Sequence, residues 1–383
     1  MLHCSIRTAM LGVYPVRGAR IRRMQPLRSL NDTIGRLAAR QAALAAMVPS
    51  GPGALADLGA FGSNPGALAG RIFVPATLPA GAPLVVVLHG CTQSAADYDR
   101  GAGWSALAAE QGFALLYAEQ TRGNNANLCF NWFVPGDFRR GGGEALSIHQ
   151  MIEAMVAAHR LDARRVFING LSAGGAMAMA MLAVYPEVFA GGAVIAGVPY
   201  GAATTVPEAF DRMRGQGLPS PASLASYIRR ASPHTGAWPR LSVWQGSEDT
   251  TVDPANADAI ARSWALLQGL DTSAHDTVNG QARQIWHDDR GRQAIEAITI
   301  AGMGPGTPIA TTGAEACGTP GPYMLDAGIS STRRIAAFWD IAPAVADGPA
   351  PMVRAGGAAS FGRPDSGVEA MINGALRQAG LIR

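Results

Sequence analysis

Between Arg165 and Gly175 the chain reads RVFINGLSAGG, a run that few folds accommodate. Val166, Phe167 and Ile168 make a short apolar strand, and the small residues that follow, AGGAMAMAMLAVY, read as a helix. The bend between them, Gly170-Leu171-Ser172-Ala173-Gly174, matches the pattern G-x-S-x-G. Such a turn lifts a serine hydroxyl above the end of a parallel sheet, in a bend where larger neighbours of the serine would clash. A sequence with 47 glycines produces the pentapeptide by chance. The strand before it and the helix after it give it meaning.

The surrounding segments fit the same architecture. Pro83–Gly90, PLVVVLHG, is a continuous apolar run suited to a parallel strand buried on both faces. Further strands are expected at Arg71–Pro75, Phe113–Ala118, Ala190–Ala196 and Arg240–Gln245, and a hairpin at Ala282–His287 and Gln293–Ile300 around the turn DDRG. Helices are expected over Asn31–Met47, Tyr98–Gln111, Glu144–His159, Pro254–Gln268, Ser331–Trp339 and Asp365–Leu381. Alternating strands and helices imply an α/β fold, a doubly wound and mostly parallel sheet with helices on both faces. The Pro- and Gly-rich stretch Val198–Pro239 reads as a small helical cap insertion. The organisation is then a basic arm, helix and linker over 1–64, a main domain over 65–342 and a Pro/Gly/Ala-rich tail over 343–383.

Apolar residues make up 48% of the chain and charged ones 15%, below the usual quarter, so a large core is available. A net charge of +3 is too small to argue for nucleic acid. Six arginines, from Arg7 to Arg28, precede the first acid, Asp32, and read as a leader rather than a binding arm. No apolar run is long enough to span a membrane, and Ala9–Val13 is too short for the core of a signal peptide. The four cysteines, Cys4, Cys91, Cys129 and Cys317, match no zinc spacing. One or two isolated bridges would favour an oxidising compartment.

A serine needs a base to act as a nucleophile, and the base needs an orienting acid. In α/β-hydrolases these follow in the order Ser, Asp or Glu, His. Ser172 supplies the first and Asp249, in the turn after LSVWQ, the second; Glu248 and Asp253 are fallback carboxylates. The oxyanion hole is expected from the Ala173 N–H and from the Cys91 N–H in the turn after PLVVVL. His89 in that turn reads as structural, holding the loop through backbone hydrogen bonds.

With these residues in view the chain resembles the poly(3-hydroxybutyrate) depolymerase family of esterases. The stretches that carry the resemblance are PLVVVLHGCTQSAADYDRGAGWSALAAEQGFALLYAEQ, NNANLCFNWF, RRGGGEALSIHQMI, RVFINGLSAGGAMA, YPEVFAGGAVIAG, VWQGSEDTTVDPANAD and CGTPGPYMLDAGISST followed by IAAFWDI. They cover roughly residues 65–342 in one order. The resemblance implies an α/β-hydrolase without metal or organic cofactor, acting on esters of hydroxy acids. Feruloyl- and acetyl-ester hydrolases are its neighbours. It also implies Ser172 as nucleophile, Asp249 as triad acid, the Cys91 and Ala173 amides as oxyanion hole, and a bridge between Cys91 and Cys129.

One position departs from the family. Where the pattern is G-M-G-H-G-T-P, this chain has Gly302-Met303-Gly304-Pro305-Gly306-Thr307-Pro308. Pro305 has no proton-accepting side chain. Of the seven histidines, His3, His89, His149, His159, His234 and His287 are poorly placed by segment order. The hairpin register sets residues near Val278 beside Ala301 and His275 just beyond, close to the expected site; it is the least unsuitable substitute, though it reads first as an ordinary loop histidine. Among aromatics, Trp104, Trp132 and Tyr200 are candidates for a substrate groove, with Phe130 and Phe133 beside them.

Two classes of function are thus expected: a serine esterase or depolymerase for hydroxyalkanoate polyesters, or a hydrolase-fold protein that binds an ester or polymer with impaired turnover. A bridge and a polymer substrate point to an extracellular or periplasmic site, the absence of a clear export signal to the cytoplasm. The sequence does not indicate an oligomeric state.

Overall fold

The computed structural model describes residues 55–346. The helices expected over 31–47 and 365–381, and the basic start, lie outside the described residues.

The sheet is built outward from its most apolar strand. At one edge, β1 (Ala56–Asp57) pairs antiparallel with β2 (Ala69–Phe73). β3 (Leu84–Leu88) is the Leu-Val-Val-Val-Leu run, and all five side chains are fully buried. Successive residues face opposite sides of the sheet. Val85 and Val87 join Trp104, Tyr117 and Trp339 on one side, while Leu84, Val86 and Leu88 join Met151 and Met177 on the other. Each such burial stabilises the fold by roughly 1.5–3 kcal/mol, and only helical layers on both faces provide it.

The helix expected over 98–111 is two helices, α1 (Ala95–Ala102) and α2 (Trp104–Gln111). Gly103 breaks it in a left-handed conformation, φ 78°, where a β-carbon would fall 2.5 Å from the Gly318 amide nitrogen. There follow β4 (Ala114–Glu119), the short α3 (Pro135–Phe138), α4 (Gly143–His159) and β5 (Val166–Leu171). The helix after β5, α5 (Ala173–Val184), is buried at all twelve positions, as expected of a helix apolar on every side.

After β6 (Gly191–Ile195), the inserted segment folds as α6 (Val206–Met213) and α7 (Pro221–Arg229). Then come β7 (Arg240–Gly246), α8 (Ala255–Gln268), β8 (Ala274–Val278), β9 (Gln281–His287) and β10 (Gln293–Ile300). A small parallel pair, β11 (Thr307–Ile309) and β12 (Met324–Asp326), precedes α9 (Ser331–Phe338). Of the two inserted helices, α6 sits by the loop leaving β7, through Asp253 N–H to Met213 C=O at 2.7 Å. α7 buries Leu224, Ala225 and Ile228 in the flanking layer beside α8.

Among the described residues ten strands form one sheet in the order β1-β2-β4-β3-β5-β6-β7-β10-β9-β8. β4, β3, β5, β6, β7 and β10 run parallel, and β9 and β10 form the expected hairpin. The chain leaves β3 outward to β4 and returns to β5 on the other side, so the winding reverses between β3 and β5. Doubly wound sheets open a crevice at such a point, beyond the carboxyl ends of the strands.

Candidate active site

Register places the site loops on one edge. Leu88 pairs with Gly170, Leu171 with Ile195, Ile195 with Trp244, and Gly246 with Ile300. The residues that follow, His89–Cys91, Ser172, Ser247–Asp249 and Ala301–Pro305, therefore all leave the sheet at its carboxyl edge.

Ser172 has φ 54° and ψ −117°, a conformation that glycine adopts readily and serine does not. The strain is held by contacts too tight for side chains. A β-carbon on Gly170 would lie 2.2 Å from the Gly174 carbonyl oxygen, and one on Gly174 would lie 2.3 Å from the Leu88 carbonyl oxygen. The Ser172 N–H is tied to Ile195 C=O at 2.9 Å, and its hydroxyl does not cap the helix it opens. Among the described residues the Ala173 and Cys91 N–H groups donate to no backbone or side-chain acceptor. Both lie where α5 meets the end of β3.

The Cys91 turn is fixed from several directions. Cys91 is bridged to Cys129. Gly90 N–H donates to Gln93 Oε1 at 2.9 Å, and Thr92 N–H to Asn127 C=O at 2.8 Å. His89 is buried against Phe130 and uses both ring nitrogens: Nδ1 donates to Gly90 C=O at 2.8 Å, and Nε2 accepts from Gln120 N–H at 3.1 Å. Burial holds this imidazole below its ordinary range.

Asp249 is buried, and its Oδ1 accepts from Thr251 and Val252 N–H at 2.8 and 2.9 Å. Its Oδ2 accepts from Gln245 Nε2 at 3.1 Å. Burial pushes the carboxyl above the usual carboxylate range, and these three donors oppose the shift. Glu248 is exposed, while Asp253 accepts from Ala255 N–H at the start of α8.

The loop carrying Pro305 is stitched to this turn. Ser247 N–H donates to Ile300 C=O, Glu248 N–H to Met303 C=O, both at 3.0 Å, and Gly302 N–H to Ser247 Oγ at 2.8 Å. These bonds tie the loop to the Asp249 turn, and residue 305, where the resemblance implies a base, is a half-buried proline. Every one of the 31 basic residues is an arginine, so no lysine can take the role.

The profile of the family described as Esterase PHB depolymerase matches residues 71–286, more than half of the chain. The chain belongs to that family. A poly(3-hydroxyalkanoate) depolymerase C of Paucimonas lemoignei is 46% identical over 292 residues, covering 75% of this chain and 70% of its own. A feruloyl esterase B of Talaromyces stipitatus is 30% identical over 262 residues, covering 66% of this chain and 72% of its own. The solved acetyl xylan esterase from Aspergillus awamori superposes with a TM-score of 0.61 at 27% identity, covering 66% of this chain and 94% of that one. The fold is that of the α/β-hydrolase esterases, and this PHB depolymerase-family chain is a carboxylic ester hydrolase by relationship.

Two expected site residues are elsewhere. His275 lies exposed on β8, the far edge strand, opposite Gln284 and level with Ala297, Val243, Val194 and Gly170 in turn. Five strand spacings put it about 24 Å from β5. β8 also runs parallel to β10, so residues before Val278 fall back along the sheet instead of continuing toward the site. Trp104 is fully buried, stacked 6.1 Å from Trp339 under the sheet, and lines no groove. Trp132 packs edge-on to Phe133 in the loop that follows Cys129, and half-buried Tyr200 packs edge-on to Phe138 after β6.

Residues that local patterns did not mark also hold the loops at this edge of the sheet. Gln245 holds Asp249 Oδ2, Ser247 holds the Pro305 loop, and Glu144 gathers the loop around Cys129. The only signal for Glu144 is an acid in the first turn of a helix, which ordinarily marks a solvated end.

Proposed function

We propose that this chain binds hydroxyalkanoate-type esters and transfers their acyl group to Ser172 slowly, without an imidazole base. The reading rests on one juxtaposition: a strained serine and two undonated amides on the same sheet edge as an acid turn whose partner loop carries Pro305. In the proposed step Ser172 Oγ forms a bond to the ester carbonyl carbon, and the carbonyl electrons move onto an oxygen held by the Ala173 and Cys91 N–H groups. The serine proton passes to water. The C–O bond to the leaving alcohol then breaks, the alcohol takes up a proton from water, and water hydrolyses the acyl-serine. A triad lacking one member retains about 10³–10⁴-fold catalysis over water, from the oxyanion hole and binding.

The relative at 46% identity, named as a poly(3-hydroxyalkanoate) depolymerase, favours polyester or its oligomers over the feruloyl and acetyl esters named for relatives at 28–30%. Tyr200 and Trp132 are the proposed groove residues. The Cys91–Cys129 bridge favours an oxidising compartment, outside the cytoplasm. No helix among the described residues is long and apolar enough to cross a membrane.

Hydrolysis of p-nitrophenyl butyrate by wild type and Ser172→Ala tests the reading, alongside labelling by a fluorophosphonate probe. Slow turnover lost in Ser172→Ala, with weak labelling confined to Ser172, is expected. Equal rates in the two proteins would remove the serine mechanism, and rapid stoichiometric labelling would show an activated serine.

A further inference from the structure

The Cys91 turn is held by a relay that begins at a carboxyl on α4, one the chemistry above does not use. Glu144, in the first turn of α4, is completely buried. Three N–H donors converge on it. Gln120 Nε2 reaches Oε1 at 2.6 Å, Asn124 Nδ2 reaches Oε1 at 2.9 Å, and Asn131 N–H reaches Oε2 at 2.9 Å. Gln120 continues the relay, since its backbone N–H donates to His89 Nε2 and His89 Nδ1 donates to Gly90 C=O, next to Cys91. A second arm runs through the same residues: Gln120 Nε2 also donates to Cys129 C=O, and Cys129 is bridged to Cys91.

We propose that Glu144 is a positioning residue for the oxyanion hole, fixing the Cys91 N–H through the Gln120–His89 hydrogen bonds and through the Cys129 loop. The proposal rests on the reading that this N–H receives the ester oxygen. Two polar amides and a backbone N–H meet at one acceptor in a place without solvent, so removing the carboxyl leaves buried donors unsatisfied at both ends of the 120–131 loop that carries Cys129. In Glu144→Gln the new amide sets an N–H against one of them.

The carboxyl is also a titrating group, which gives the relay a signature. Burial raises it to about 8, opposed by its three donors and reinforced by the neighbouring carboxylate of Asp137 from α3. His89, the other titratable group on the path, is held below 6.5 by burial, so the two are distinguishable by midpoint.

The experiment follows the Cys91 and Ala173 amide resonances of the full chain, isotopically labelled, from pH 5 to 9.5. In wild type the Cys91 resonance moves with a midpoint near 8. The movement disappears in Glu144→Gln and persists with a shifted midpoint in Glu144→Asp. For p-nitrophenyl butyrate, Glu144→Gln lowers kcat about tenfold or more with KM little changed, against about 10²–10³ for loss of a whole oxyanion donor. A Cys91 resonance unmoved above pH 6.5 in wild type overturns the proposal without reference to any variant, as does the same movement surviving in Glu144→Gln. Adding butyrate to wild type separates the two readings. Shifts at both Cys91 and Ala173 place an acyl oxygen between them; no shift at either, with the pH response intact, overturns the oxyanion reading and the catalytic role of Glu144 with it.

Discussion

Gly246 and Met303 touch through their backbones: a β-carbon on Gly246 would lie 2.3 Å from the Met303 carbonyl oxygen. The contact joins the end of the strand before Asp249 to the loop that carries Pro305, and the adjacent Glu248 N–H donates to that same oxygen. Gly246→Ala must therefore push the two apart. Overpacking of this kind costs about 1–3 kcal/mol, measurable as a lowered urea midpoint with an unchanged slope. An unchanged midpoint would mean that the loop yields freely.

Because the loop is held to the acid turn by backbone bonds, Pro305→His should restore a base where the family pattern has one. The expected gain in p-nitrophenyl butyrate hydrolysis is about 10²–10⁴-fold, the usual worth of general base catalysis. The rate should climb with pH around a midpoint near 6.5, as an imidazole loses its proton. Ser172→Ala in the same background should abolish the gain. A variant that folds, binds and stays slow would show that the loop no longer presents its residue 305 to Ser172.

The backbone of Ser172 stores strain of about 1–3 kcal/mol. Ser172→Gly relieves it, while glycine costs the unfolded chain's extra freedom, about 0.5–1 kcal/mol. Ser172→Gly should consequently exceed Ser172→Ala in stability by about 1 kcal/mol, although both lack the hydroxyl. Chemical denaturation of the pair is the measurement, and a less stable glycine variant would contradict the strain.

The parts of this fold legible in the sequence are those whose cause is local. Five consecutive apolar residues at Leu84–Leu88 permit little besides a strand covered on both faces, and the hairpin at β9–β10 follows from two periodic runs about a turn. The break at Gly103 was not legible, because its cause is the approach of Gly318, more than 200 residues away. β8 has four exposed residues of five and no alternation to reveal it, which is why His275 reads as a loop residue near the site. Trp104 could be named as aromatic, but only the stacking on Trp339 tells that it faces inward. The site itself divides the same way. The elbow, the acid turn and the substitution at Pro305 are contiguous motifs, and Gln245 finds Asp249 four residues on, whereas Glu144 acquires its partners from the loop that follows β4.

The bridge between Cys91 and Cys129 closes a loop of 38 residues in sequence. Loop-closure entropy gives such a crosslink about 3–4 kcal/mol of stabilisation. The Cys91→Ser, Cys129→Ser double variant should lose about that much, and reduction of wild type should reproduce the loss. Free Cys317 is buried, with its thiol pushed up to about 11, and should react only after unfolding. Thermal melts with and without dithiothreitol would reveal a bridge of no consequence if the two coincide.

Glu144 also predicts how stability depends on pH. Its folded value, about 8, lies above its ordinary 4.5, so the native chain binds this proton more tightly than the unfolded chain does. The contribution is fully present below pH 4.5 and is lost as pH rises toward 8. One proton sets a slope of up to about 1.4 kcal/mol per pH unit across that window. Asp249, also raised by burial, acts with the same sign but from a lower starting value. Unfolding free energy should thus fall between pH 5 and pH 8. Glu144→Gln should be less stable than wild type at pH 5, where its amide sets an N–H against one of the three donors, and should show a shallower decline toward pH 8, where wild type must carry a buried charge. Equal slopes in the two proteins would place the proton linkage elsewhere.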